Sequence, residues 1–204
     1  MKKILLIVDC QYDFVNPDGA LYVKDSWLLP TQIADIMDKF DAFAFTLDWH
    51  PLNHCSFKEN GGQWPRHCVE YSKGASISDF LLEKAYGKPN LIFRKGECPY
   101  REEYGAFGEH KELNARELLG FINTVRYRNG EDSVDLYVCG VAGDYCVQNT
   151  VEDIVRNDVL CEKIHNVILL KDLCPCIDKS WDMEAFCREH AVTCINYPHI
   201  NEGV

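Results

Sequence analysis

Residues 135–147 read Asp-Leu-Tyr-Val-Cys-Gly-Val-Ala-Gly-Asp-Tyr-Cys-Val, and the change of rhythm within them decides the fold. Residues 135–139 form an apolar run of strand length. Two glycines, Gly140 and Gly143, then allow a tight backbone turn. From 145 to 157 apolar residues recur at spacings of three and four, which predicts a helix. A strand that turns directly into a helix is half of a βαβ unit, and the chain repeats it.

Further strand-length apolar runs lie at 3–8, 42–47, 90–93, 167–170 and 192–196, which makes six strands. Helical patterns lie between them at 31–40, 77–85, 114–128 and 179–190. This alternation requires parallel strands joined by right-handed crossovers, with helices covering both faces. The expectation is an α/β three-layer sandwich around a six-stranded, mostly parallel sheet. With 204 residues and 47% hydrophobic content, residues 1–204 are expected to form a single domain. Three long irregular stretches, 9–30, 48–76 and 95–109, each follow a strand. In an open parallel sheet such loops gather at the carboxyl edge, where ligands bind at the point of topological reversal.

The composition excludes several classes of function. With 32 acidic against 21 basic residues the net charge is −11, which repels nucleic-acid phosphates and anionic lipid, and no basic patch offsets it. No apolar run approaches membrane-spanning length. The start, Met1-Lys2-Lys3 followed by five apolar residues, lacks the pattern of a secretory signal, so a cytosolic protein is expected. The eleven cysteines are odd in number and scattered. They are expected to be reduced thiols, mostly small core side chains, and Cys174-Pro-Cys176 is no CxxC motif.

Polar residues stand where strands end. Asp9 closes the first strand, Lys95 follows the third, and Cys146 opens the helix after the fourth. Singly, an acid there is most often a cap, a lysine solvated and a cysteine packing. Together at one sheet edge they suggest a nucleophile with its proton carrier. A cysteine in the first helical turn feels the positive end of the dipole, which lowers thiol pKa values, so Cys146 is expected to be a ready thiolate. The glycine-rich turn offers free N–H groups for an oxyanion. In Asp48-Trp-His50 the carboxylate and imidazole sit two apart at a strand end and can face one side, with His67 following in the next loop. An Asp-x-His pair alone is often only a hydrogen-bonded loop. As ligands, the three would suit Zn²⁺, Fe²⁺ or Mn²⁺ and leave positions open.

Taken together and in order, Asp9-Cys-Gln-Tyr-Asp-Phe14, Asp48-Trp-His-Pro-Leu-Asn-His-Cys-Ser-Phe57, Trp64-Pro-Arg-His-Cys-Val69, Lys95-Gly96 and Gly140-Val-Ala-Gly-Asp-Tyr-Cys-Val147 resemble the nicotinamidases of the isochorismatase-like hydrolase superfamily. The resemblance spans almost the whole chain. It implies a catalytic triad of Asp9, Lys95 and Cys146, and a cis peptide before Ala142. The Ala142 and Cys146 amides would form the oxyanion hole. It also implies a divalent metal, expected to be zinc, on Asp48, His50 and His67, binding the pyridine nitrogen of the substrate. His54, ranked above Glu59, is a candidate fourth ligand. Phe14 and Trp64 resemble the walls that hold the ring, and Tyr104 a residue that closes the pocket. Gly143 stands where relatives often carry threonine, so a looser turn is expected there.

The implied activity is hydrolysis of nicotinamide to nicotinate and ammonia, with pyrazinamide as a second substrate. Another small amide or ureido compound on the same fold, and a metal- or pyridine-binding protein without catalysis, are the alternatives. Homo-oligomers are an expectation by analogy alone. Cys55 and Cys68 are expected to be loop packing, and His110, His165, His190 and His199 surface or structural residues.

Overall fold

The computed structural model describes residues 1–128 and 130–197; His199 lies outside them. Its centre is one sheet of six strands: β1 (Lys2–Val8), β2 (Ala42–Asp48), β3 (Asn90–Lys95), β4 (Val134–Gly140), β5 (Ile164–Leu170) and β6 (Thr193–Ile195). The order across the sheet is β3-β2-β1-β4-β5-β6, and every neighbouring pair is parallel. β1 lies in the middle, and Ile4 to Val8 have no solvent exposure. A strand buried on both faces cannot alternate apolar with polar residues, which is why it reads as an unbroken apolar run.

Among the described residues seven α-helices accompany the strands: α1 (Tyr12–Val15), α2 (Leu29–Ile36), α3 (Asp79–Ala85), α4 (Glu112–Tyr127), α5 (Gln148–Val155), α6 (Asp158–Cys161) and α7 (Met183–Glu189). On α4 the buried residues are Ala115, Leu118, Ile122 and Val125, at the three- and four-residue spacing of one helical face. α2 packs on α3, while α6 joins α4 and α5. His190, just past α7, lies 3.9 Å from Glu152 of α5. Right-handed crossovers place the first pair and the second group on opposite faces.

Several helical boundaries differ from the sequence expectation, each for a local reason. The pattern over 31–40 starts at Leu29 with Pro30 in the first turn, and after Ile36 it tightens into a 3₁₀ turn, Met37–Lys39. The helix expected over 145–157 is divided. A π-helical turn, Gly143–Val147, precedes α5, and Asn157 accepts from the Leu160 N–H to start α6 afresh. The pattern over 179–190 begins only at Met183, because Asp182 caps it by accepting from the Ala185 N–H at 2.9 Å. Among the described residues no helix is long and apolar enough to cross a membrane.

The sheet order reverses between β1 and β4. Asp9 leaves one of those strands and the Gly143–Val147 turn the other, so the crevice predicted at the reversal is where both arrive.

Candidate active site

The backbone register does most of the positioning. Asp48 and Lys95 are partners across β2 and β3, so their side chains start side by side at the sheet edge. Asp9 follows Val8, whose partner is Thr46. Thr46 and Asp48 are two apart on β2 and therefore share one face. Lys95, with no solvent exposure, donates to Asp48 Oδ1, lies 2.9 Å from Asp9 Oδ2 and reaches Cys146 Sγ at 3.4 Å. Thr46 Oγ1 donates to Asp9 Oδ1 at 2.6 Å. Asp9 and Cys146, two of the triad residues that the resemblance implied, are thus both in contact with the ammonium of the third, Lys95.

The electrostatics of this cluster follow from its burial. Burial lowers the Lys95 pKa, but Asp48 and Asp9 outweigh it and hold the ammonium well above the ordinary lysine range. Asp48 is likewise pushed up by burial, and Lys95 and His50 reverse this to leave it well below the usual carboxylate range. Asp9 goes the other way: burial raises it, Lys95 pulls it back only partly, and the Asp48 charge adds to the rise.

Cys146 corrects the sequence reading. Burial pushes its thiol well above the ordinary value; Lys95 opposes this, but Asp9 and Asp48 raise it again. The dipole argument considered one local source of positive potential. The structure shows a buried cysteine, 6% exposed as a residue, facing two carboxylates and one ammonium, in a π-helical rather than an α-helical turn. Asp9 is the neighbouring carboxylate that, after burial, raises the thiol most.

The Val141–Ala142 peptide is cis, as the resemblance implied. The Ala142 carbonyl accepts from the N–H groups of Tyr145 and Val147, both at 3.1 Å, and passes over that of Cys146 between them. Gly143 is not a loose point. Its N–H donates to the Pro175 carbonyl at 2.9 Å, and a Cβ there would lie 2.6 Å from Cys176 Sγ and 2.7 Å from the Cys174 carbonyl oxygen. The residues 174–176 fill the space a larger side chain would take. Asp144 fastens the same segment by accepting from the Ile177 and Asp178 N–H groups at 2.9 and 2.7 Å.

Beside the triad, ligand atoms of Asp48, His50 and His67 lie within 4.8 Å of one another, all buried. Each imidazole binds a backbone carbonyl through Nδ1: His50 to Gly96 at 2.9 Å, His67 to Pro65 at 2.8 Å. A donating Nδ1–H leaves the lone pair on Nε2, which is the usual support of a metal-ligating histidine. His50 Nε2 is buried with no hydrogen-bond partner and stands 3.5 Å from Asp48 Oδ2; His67 Nε2 stands 3.8 Å from the same oxygen. This donor set fits a divalent metal. Gly96 has to be glycine, since its φ is +67° and a Cβ would lie 2.3 Å from the His50 ring.

The two candidate fourth ligands are otherwise engaged. His54 uses both nitrogens, Nδ1 with Ser56 Oγ at 2.7 Å and Nε2 with the Arg101 carbonyl at 3.1 Å, and stacks on His50. Burial, with His50 beside it, lowers its pKa to about 4. Glu59 pairs with Arg66 at the surface. Cys68 packs in the core and its N–H donates to Asp13, while Cys55 is half-buried.

Phe14, Trp64, Tyr104, Asp48, His67, Ala142 and Cys146 line one narrow cleft. The Phe14 ring lies 5.5 Å from that of His67. The Trp64 indole N–H donates to the Tyr104 hydroxyl at 3.1 Å, joining two loops at the cleft. Tyr145 completes the wall, 5.3 Å from Trp64 and 5.4 Å from Tyr104. Tyr145 escaped the sequence reading because its neighbour Cys146 carried the argument. Gln11 and Thr46 escaped it too, although Thr46, a polar residue inside an apolar strand, was a usable signal. Gln11 grips Asp48 from both sides: its Nε2 donates to the Asp48 carbonyl at 2.7 Å, and the Asp48 N–H donates to its Oε1 at 2.8 Å.

No family model matches the chain. Curated relatives do: the nicotinamidase/pyrazinamidase of Mycobacterium tuberculosis is 34% identical over 161 residues, covering 76% of this chain and 80% of that protein. The chain belongs to the nicotinamidase family. Solved structures share the fold of this nicotinamidase-family chain. PnC1 from L. infantum, in complex with nicotinate, is 32% identical, with a TM-score of 0.79 over 97% of this chain and 93% of that one. The pyrazinamidase of Pyrococcus horikoshii, in complex with zinc, is 31% identical, with a TM-score of 0.72 over 97% and 100%. The six-stranded sheet is the isochorismatase-like hydrolase fold of these neighbours.

Proposed function

We propose that the chain hydrolyses nicotinamide to nicotinate and ammonia through a thioester on Cys146. The observation that carries this reading is the double use of Asp48: Oδ1 takes Lys95 of the triad, while Oδ2 faces His50 and His67. Nucleophile and metal group therefore border one cleft, as a substrate with a carboxamide at one end and a ring nitrogen at the other requires. The family relatives are nicotinamidases and pyrazinamidases, and one was solved with nicotinate.

In this mechanism Asp9 takes the Cys146 proton as the sulfur attacks the carboxamide carbon. The Ala142 and Cys146 N–H groups hold the oxyanion, where one such donor is typically worth about a hundred- to a thousandfold in rate. Asp9 returns the proton to the leaving nitrogen, and ammonia departs from the thioester. Water then attacks, Asp9 accepts its proton, and the Cys146 sulfur recovers a proton as nicotinate leaves. Lys95 keeps the site from holding two uncompensated carboxylates throughout. Phe14, Trp64 and Tyr104 hold the ring and exclude water. A divalent ion on Asp48, His50 and His67 would supply a Lewis-acid anchor for the pyridine nitrogen. Zinc is our assignment, from the donor set and the zinc complex of the Pyrococcus relative; Fe²⁺ and Mn²⁺ suit the same donors. Pyrazinamide keeps a nitrogen meta to its carboxamide and is expected to be cleaved as well. All eleven cysteines are free thiols, which suits the cytosol as the working compartment.

The test is ammonia release from nicotinamide by metal-loaded protein, with metal content measured by elemental analysis. Cys146→Ala should abolish release and keep its metal. Substantial turnover by that variant contradicts the thioester, and no release by the parent protein contradicts the assignment.

A further inference from the structure

We infer that Thr46 is a positioning residue for the hydrolysis: its hydroxyl pins Asp9 Oδ1, so that Oδ2 is the oxygen that exchanges protons with Cys146 and the departing amine. The inference rests on the proposed role of Asp9 and adds to it. Two independent observations support it. Thr46 Oγ1 donates to Oδ1 at 2.6 Å, short and completely buried. Asp9 Oδ2 is buried with no hydrogen bond; Lys95 approaches it to 2.9 Å as an ion pair but directs hydrogen bonds to Asp48 and Cys146.

The backbone explains why such a pin is needed. Asp9 is the first residue beyond β1 and has a left-handed φ of +48°, a region that aspartate tolerates better than most residues. Its N–H is already directed at Thr46, whose carbonyl oxygen lies at 3.2 Å and hydroxyl oxygen at 3.3 Å. Main chain and side chain of Asp9 are therefore both fixed to one residue of β2. Without the hydroxyl, the carboxylate can turn about Cβ–Cγ and present either oxygen, or neither, to the sulfur. Thr46 shares its β2 face with Asp48, so one strand orients the proton carrier through residue 46 and the ammonium through residue 48.

Thr46→Val keeps the shape and the backbone carbonyl but removes the hydroxyl. The expected result is a kcat for ammonia release lowered about 10- to 100-fold, the size of one lost hydrogen bond to a charged group, with KM within about twofold of the parent. Thr46→Ser, which restores the hydroxyl, should recover most of the rate. A Val variant with parental kcat, a loss confined to KM, or a Ser variant no better than Val overturns the inference. If Val does not fold, Thr46→Ala carries the same comparison with Ser. Asp9→Asn, measured alongside, separates the two readings. Its full activity would remove Asp9 from the mechanism, whereas an inactive Asn variant beside an unaffected Val variant removes only Thr46.

Discussion

Replacing Lys95 by methionine keeps most of the side-chain volume and removes the one ammonium among two buried carboxylates. Asp9 is unexposed and Asp48 is 4% exposed, so neither can turn to water for compensation. Removing one partner of a buried pair typically costs about 3–5 kcal/mol, and here a single deletion strands two acids. At about 2–4 °C per kcal/mol for a chain of this size, the melting temperature should fall by roughly 6–20 °C. The loss should shrink in acid. Asp9 already titrates above its ordinary value through burial, and losing Lys95 raises it further. A folded pKa above the unfolded one gives stability that is present at low pH and lost as pH rises through the folded value. The variant should therefore approach the parent as pH falls from 8 to 5. Urea denaturation of both metal-free proteins across that range is the assay, and ammonia release should drop at least about a hundredfold. A variant within about 1 kcal/mol of the parent at pH 8, or a deficit that does not change with pH, would refute the view that Lys95 neutralises both acids.

Two further outcomes are expected. His54 has a pKa of about 4 in the fold against 6.5 unperturbed, so its contribution is complete above pH 6.5 and disappears as pH falls towards 4. Urea midpoints of metal-free protein should show an acid slope between those values that His54→Gln flattens. Gly143→Ala should cost roughly 1–3 kcal/mol, as overpacking does, since its Cβ meets the Cys174 carbonyl at 2.7 Å; an unchanged melting temperature would show that residues 174–176 yield freely.

The sheet was legible because burial on both faces writes itself into composition. All six strands occur where apolar runs predicted them, and the errors lie at their ends. β3 extends past Phe93 to Lys95, because Arg94 and Lys95 keep pairing with Leu47 and Asp48 although neither is apolar. The long helix expected after β4 breaks at a π-helical turn around Cys146 that periodicity does not encode. Charge balance was the least legible quantity. A thiol at a helix start looks acidic in one dimension; only the fold shows that Asp9, from residue 9, and Asp48, from β2, press against it. Tyr145 and Thr46 were obscured differently. Each adjoins a residue or strand whose main signal, a nucleophile or a core, absorbed the reading.

The sharing of Asp48 also limits how any substitution there can be interpreted. One oxygen belongs to Lys95 and the other faces two imidazoles, so this carboxylate cannot be removed from the metal group without also leaving the ammonium one acid short. Gln11 holds both sides of the Asp48 peptide and also donates to the Ala75 carbonyl at 3.0 Å, which fixes the residue's position from the loop that begins at Asp9. While His67 comes from the loop after β2, Asp9, Asp48 and Lys95 are thus set by the ends of three adjacent parallel strands. Their spacing follows from the β1–β2 and β2–β3 registers rather than from loop conformation. That arrangement allows the long loops after β1, β2 and β3 to supply the aromatic walls of the cleft while Asp9, Asp48 and Lys95 stay on the sheet edge, where rigid elements hold geometry best.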